Sequence, residues 1–345
     1  MRIVTNIKKV RHILRLFYYF FFLVIPFTDV YSENLNIYSA RQEVLMRDLI
    51  SSFEKIENIK VNLISAKANQ LIQKIEVEGK YTKADLLLTT DIARLLIAKE
   101  KDLFKIVKSE KLKKNIPTQY RDKDNKWFGL SLRARVFVYH KERVSIEHLK
   151  GYISLQENKW KSRILVRSSN NVYNQSLVSA MISNYGKEVT RKFLLNFKNN
   201  FARNPSGGDR DQIKGLISGE GDLALVNTYY YIKMKKNDAD NKLAKLDVHF
   251  PTDNKMNTHV NISGAGIIKY SKNFNNAVKF LEYLVSDEAQ KIYAEVNYEY
   301  PIKNNLRLSK FMEKYTIQKK DDLNLNKIAN HNKEALLLMG EAGWR

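Results

Sequence analysis

The chain has no cysteine in its 345 residues. Disulfides, thiolate metal sites and cysteine nucleophiles are thereby excluded, and so is a lipid anchor on an N-terminal cysteine. Histidine is scarce. His12, His140, His148, His249, His259 and His331 never share the i, i+4 spacing that sets two imidazoles on one helix face. His259 falls in a strand-like run and reads as structural. No Gly-x-Ser-x-Gly elbow, Walker loop or dinucleotide fingerprint is present. Ser206-Gly207-Gly208-Asp209 lacks the Lys-Ser/Thr of a phosphate loop and reads as a turn. An enzyme is not expected. Long apolar runs are also few. Residues 16–27 form one, shorter than the ~20 residues a spanning helix needs. It follows Arg2, Lys8, Lys9, Arg11, His12 and Arg15 with no acid among them. A basic segment and a short apolar core read as a secretory signal over residues 1–32, cleaved after Val30-Tyr31-Ser32 to leave Glu33 first. The expected product is an exported, soluble periplasmic chain with enough residues for two packed lobes.

Positive charge and tyrosine are what the chain has in excess. The formal net charge is +22, and 19 residues are tyrosine. The lysines are spread along the whole chain, with no block of six and no recognised nucleic-acid motif. The charge therefore reads as solvated surface with some steering effect, and nucleic acid is not an expected partner.

Alternating apolar residues at 35–38, 60–64 and 84–89 read as strands. Each is followed by apolar residues at helical spacing, within 41–59, 69–78 and 91–99. That alternation predicts a parallel sheet covered by helices. Two long strand-like runs, 128–140 and 258–269, bracket a second α/β stretch. A second lobe inserted through two strands implies a hinge, with the ligand cleft between lobes. The expected division is 33–131 with 256–306 for the first lobe and 132–255 with 307–345 for the second.

Tyr229, Tyr230 and Tyr231 follow directly on the strand at 222–226, where α/β sheets hold their ligands. Adjacent side chains converge only where the chain turns, so spacing alone fits either an aromatic core or a ligand pair. Tyr173 stands in a polar stretch expected to be a loop between a strand and a helix. Arg133 and Arg135 are two apart on the first long strand and share a face. Arg41 follows the first strand. Each arginine fits either an ion pair or an anion clamp. Hard-cation binding would unite these residues. Fe³⁺ prefers oxygen, three phenolates neutralise it, and a further anionic ligand calls for the planar fork of an arginine.

The sequence resembles the bacterial periplasmic ferric-iron-binding proteins of ABC transporters, the transferrin-like type II binding proteins. The matching runs include Asn36-Ile37-Tyr38-Ser39-Ala40-Arg41-Gln42, Asn115-Ile116-Pro117-Thr118-Gln119-Tyr120-Arg121-Asp122, Trp127-Phe128-Gly129-Leu130, Gly219-Glu220-Gly221-Asp222-Leu223-Ala224-Leu225, Thr258-His259-Val260-Asn261-Ile262-Ser263-Gly264 and Asn297-Tyr298-Glu299-Tyr300-Pro301. The resemblance implies a two-lobed type II fold. It implies Fe³⁺ ligation by Tyr173, Tyr229 and Tyr230, and a carbonate or bicarbonate held by Arg133; Arg41, from its place after the first strand, is a second candidate anion-binding group. It further implies a monomer that delivers ferric ion to an inner-membrane permease. Many members carry His or His-Tyr after the Ser-x-Arg; this chain has Gln42-Glu43. Glu43 is therefore a candidate first-lobe ligand, with carbonate or water as the alternative. The rival reading is a binding protein of the same fold for an oxyanion or small organic anion clamped by the arginines.

Overall fold

A computed structural model describes residues 34–322 and 325–345; the expected signal, residues 1–32, lies outside them. The chain first alternates β1 (Asn34–Ser39), α1 (Arg47–Glu57), β2 (Lys60–Ser65), α2 (Ala68–Glu78), β3 (Leu86–Thr89) and α3 (Ile92–Glu100). β1 pairs in parallel with β2 on one side and β3 on the other, since each helix returns the chain to the same edge of the sheet. β3 is buried at every residue, as its unbroken Leu86-Leu87-Leu88 suggests. The helix expected from Arg41 starts only at Arg47, because Glu43–Leu45 first form a 3-10 turn. Gly79 ends α2 at φ +52°, a conformation that glycine adopts without strain.

After α4 (Glu110–Asn115) comes β4 (Phe128–His140), buried along its whole length. There follow β5 (Ile164–Leu165), α5 (Val172–Tyr185), α6 (Lys187–Asn199), α7 (Asp209–Ile217), β6 (Leu223–Asn227), α8 (Thr228–Lys236) and β7 (Leu246–His249). The chain returns through β8 (Val260–Ile267). It closes with α9 (Phe274–Leu284), α10 (Asp287–Glu295), β9 (Tyr300–Pro301), α11 (Lys310–Glu313), α12 (Leu325–Asn330) and α13 (Asn332–Glu341).

The strand order β2-β1-β3-β8-β4-β6-β5 is mixed rather than all parallel. β8 runs antiparallel to both β3 and β4 because one strand leaves the first half of the fold and the other comes back. β4 belongs to both halves. From Phe128 to Ala134 it pairs with β8; from Arg135 to Tyr139 it pairs with β6, and β7 flanks it as well. At the crossing, the Arg135 N–H donates to the His259 carbonyl at 3.0 Å. α12 packs on both α3 and α5, so the C-terminal stretch touches both halves. Trp344 is buried, and its indole N–H donates to the Arg167 carbonyl at 2.8 Å. The end of the chain thus braces the segment leading into α5.

Arg135 ties the second half together. It donates to Asp209 at the start of α7 (2.8 Å), to Asn174 on α5 (2.6 Å) and to Asn227 at the end of β6 (3.4 Å). Arg135 and Asp209 are both buried. Removing one member of such a pair leaves an uncompensated charge, so Asp209→Ala should lower stability by about 3–5 kcal/mol. Guanidinium unfolding of the purified protein checks this.

Candidate metal-binding site

The three expected tyrosines meet at the N-terminal ends of two helices. β6 stops at Asn227 and α8 starts at Thr228. With no intervening loop, Tyr229 and Tyr230 both fall in the first turn of α8. Their rings lie 4.0 Å apart between centroids, tilted by 32°. Tyr173 is not in a loop, as expected from sequence, but in the first turn of α5. The Asn171 side chain caps that helix by accepting from the N–H groups of Tyr173 (3.1 Å) and Asn174 (3.4 Å). The Tyr173 and Tyr229 hydroxyls are 3.5 Å apart, so oxygens from two elements converge on one point.

These tyrosines line a cleft of about 800 Å³. The opposite wall carries Arg41, Gln42, Lys67, Gln70, Arg94 and Glu299; Arg133 on β4 and Arg167 before α5 complete the charged set. Five cations face one carboxylate. Burial pushes the Tyr229 hydroxyl well above its ordinary value, and the neighbouring Tyr173 and Tyr230 raise it further, against a lowering by Arg133. Tyr230 is raised for the same reasons, burial first, then Tyr173 and Asp209. In the metal-free protein both are phenols at neutral pH.

Tyr231 has another role. It is buried and its hydroxyl donates to the Leu246 carbonyl at 3.0 Å. Tyr231→Phe should cost about 1 kcal/mol through that lost hydrogen bond and leave metal binding unchanged, which denaturant unfolding and a metal titration of the variant would read.

The arginines differ in their engagement. Arg41 makes a two-pronged pair with Glu299, at 2.6 and 3.1 Å, and also donates to Ser263. Burial alone would raise the Glu299 carboxyl, but Arg41, Arg133 and Ser131 hold it below the ordinary value. Arg41 is therefore already matched by one negative charge. Arg133 has no carboxylate in salt-bridge contact among the described residues. Its fork donates to Ser263 Oγ (2.9 Å) and to the carbonyls of Ile262 (2.8 Å) and Thr90. Arg135, which shares its face, is occupied by Asp209. Glu43 is exposed in the 3-10 turn and is not on the cleft wall, where Gln42 stands instead; the turn carries the chain away directly after Gln42. His259 is buried with Nε2 2.9 Å from Ser176 Oγ. Burial, then Arg135 and Arg133, lower its pKa to about 3, so it is neutral.

Sequence reasoning did not find Lys67, Gln70, Arg94, Arg167 or Asn170. All five lie at or beside strand–helix junctions on the cleft, which was the one available signal. Glu299 stands in a matching run but had no assigned role. Among the described residues no cluster of three or more His, Cys, Asp or Glu side chains could hold a metal ion, and no helix is long and apolar enough to cross a membrane.

Residues 82–324 match the family described as bacterial extracellular solute-binding protein. The chain is 41% identical to iron uptake protein A1 of Synechocystis over 93% of its own length and 90% of that protein. It is 27% identical to the major ferric iron-binding protein of Neisseria meningitidis, over 78% and 81% of the two chains. Among solved structures, the Trichodesmium protein in complex with iron and citrate superposes with a TM-score of 0.84 at 39% identity, covering 90% of this chain and all of that one. The apo ferric ion-binding protein A of Pasteurella haemolytica gives 0.86 at 40%, covering 90% and 98%. These neighbours share the two-lobed periplasmic-binding-protein architecture, and the chain belongs to the bacterial extracellular solute-binding protein family.

Proposed function

We propose that this protein captures ferric ion through Tyr173, Tyr229 and Tyr230 and delivers it to an ABC permease, acting as a carrier and not as an enzyme. The observation that carries the reading is the convergence of the Tyr173 and Tyr229 hydroxyls, 3.5 Å apart, with the Tyr230 ring stacked alongside. Relatives at 41% and 38% identity are named iron uptake proteins, which supports it. Three phenols would become phenolates and balance the 3+ charge, each giving up its proton to solvent. Ferric citrate titration of the purified protein, followed by visible absorption, tests the assignment. Saturation at one ion per chain is expected; no spectral change would oppose it.

Arg133 is the candidate clamp for a small anionic co-ligand such as carbonate, because its charge meets no contacting carboxylate among the described residues. With Glu43 off the cleft wall, carbonate or water is the better candidate for the first-lobe position. Arg133→Ala should then abolish the bicarbonate dependence of iron binding, whereas Glu43→Ala should change affinity less than about threefold, as for a surface position. Titrations with and without bicarbonate separate the two. The cationic cleft also favours a second reading, a binder of small organic anions. Calorimetry with citrate alone, free of iron, discriminates: tight binding of the bare anion would favour this rival.

We assign the first lobe to 33–131 with 256–306 and the second to 132–255 with 307–345. Closure would bend β4 and β8 near Arg133–Arg135 and His259–Asn261, where the two strands cross. The expected setting is the periplasm, with the chain a monomer.

A further inference from the structure

Against Arg133 and Tyr173, which also line the cleft, lies a second, small void of about 10 Å³, the space of one water-sized sphere. Its walls are Arg133, Arg135, Tyr173, Asn227, His259 and Asn261. Four of these six carry a buried polar nitrogen with no hydrogen-bond partner among the described residues: Nε of Arg133, Nε of Arg135, Nδ2 of Asn227 and Nδ1 of His259. All four residues are more than nine-tenths buried. Such orphans are rare in native proteins, and each one left unmet is costly.

Three of the four are donors in either tautomer of His259, the two arginine Nε–H groups and the Asn227 amide. Both arginines use their terminal nitrogens elsewhere, on Ser263 and the Ile262 carbonyl for Arg133 and on Asp209 and Asn174 for Arg135. Each makes three bonds with its terminal nitrogens out of five N–H groups, and Nε is the nitrogen with no partner among the described residues. Two residues apart on β4, they leave the same face of the strand. Asn227 Oδ1 accepts from Arg135, which leaves its amide hydrogens free. Asn261 donates to Ser176 Oγ, which lies 2.9 Å from His259 Nε2. When the Ser176 hydroxyl donates to Nε2, His259 carries its proton on Nδ1 and adds a fourth donor. Among the walls the acceptors are few. Asn261 Oδ1 already receives the N–H groups of Ile92 and Ile262.

A water molecule accepts two hydrogen bonds and must donate two. It would leave at least one of the three fixed donors unmet and find few acceptors in the walls. A monatomic anion only accepts. The charge points the same way, since Arg135 is balanced by Asp209 while Arg133 has no contacting carboxylate.

We propose that this void is a specific site for one small monatomic anion, of which chloride is the abundant example, bound at the crossing of β4 and β8. It shares Arg133 and Tyr173 with the cleft but is a separate site, and its occupancy does not depend on iron. A halide is somewhat larger than water, so the arginine Nε–H groups would shift slightly outward to make the longer N–H to halide contact.

The test uses iron-free protein. Crystals grown with bromide in place of chloride, measured at the bromine absorption edge, should show an anomalous peak between Arg133, Arg135, Asn227 and His259. In solution, chloride or bromide should raise Tm by roughly 2–4 °C over gluconate at equal ionic strength, because gluconate is too large to enter. Asn227→Leu removes a donor and fills part of the space, so the halide-specific rise should vanish. If that variant does not fold, the wild-type diffraction decides alone. An ordered oxygen without anomalous signal, or bromide found only at the surface, would overturn the proposal and leave a water site.

Discussion

Tyr229→Phe/Tyr230→Phe should lose ferric affinity by at least about 10⁴-fold while folding normally. Removing only an outer partner of a metal-binding side chain costs about 10–100-fold in affinity. If both phenol oxygens ligate the metal directly, each must cost at least the upper end of that range. Both rings are buried and stack on each other at 4.0 Å, and phenylalanine keeps that stack. Neither hydroxyl is tied to a backbone carbonyl in the way that of Tyr231 is. The double variant should therefore unfold at nearly the wild-type denaturant concentration and fail to compete with citrate for Fe³⁺. Equilibrium dialysis against ferric citrate reads the loss. A double variant that binds iron normally would move the site elsewhere in the cleft and promote the anion-binding reading.

Acidification should release the metal steeply. Burial and mutual proximity raise the Tyr229 and Tyr230 hydroxyls above the ordinary value near 10. At neutral pH the metal must displace protons that these phenols hold more tightly than free tyrosine does. Each phenolate formed releases one proton. Apparent affinity therefore falls as pH falls, by up to about 10³ per pH unit if all three tyrosines ionise. Groups already anionic in the free protein would release no proton, and the affinity would not change over this range. Stopped-flow acidification from neutral pH, and counting protons released on loading in unbuffered solution, measure the slope. About three protons per ion fit the account; fewer than about one would mean that the tyrosines stay protonated and do not ligate.

Much of this was legible in the residues. Three strand–helix repeats and two long strands gave the topology, because buried strands and amphipathic helices have distinct apolar periods. The junction at Asn227 was readable because the apolar run Leu223–Val226 stops there and the tyrosines follow directly after Thr228. Other features depended on contacts between segments far apart in the chain. Glu299 meets Arg41 across 258 residues, and no local pattern reports that one arginine is neutralised while Arg133 is left free. The 3-10 turn that takes Glu43 off the cleft wall is also invisible to periodicity, since it is a single turn ahead of a genuine helix. The helical start of Tyr173 turned on Asn171, a capping residue that sequence reading took as part of a polar loop.

The most direct test of the central claim is the visible spectrum and metal content of the wild-type protein after loading with ferric citrate and desalting. Phenolate ligation of Fe³⁺ predicts a red to orange protein with one iron per chain, a colour lost in the Tyr229→Phe/Tyr230→Phe variant and kept in Tyr231→Phe. A colourless wild-type protein that leaves the desalting column without iron would contradict it.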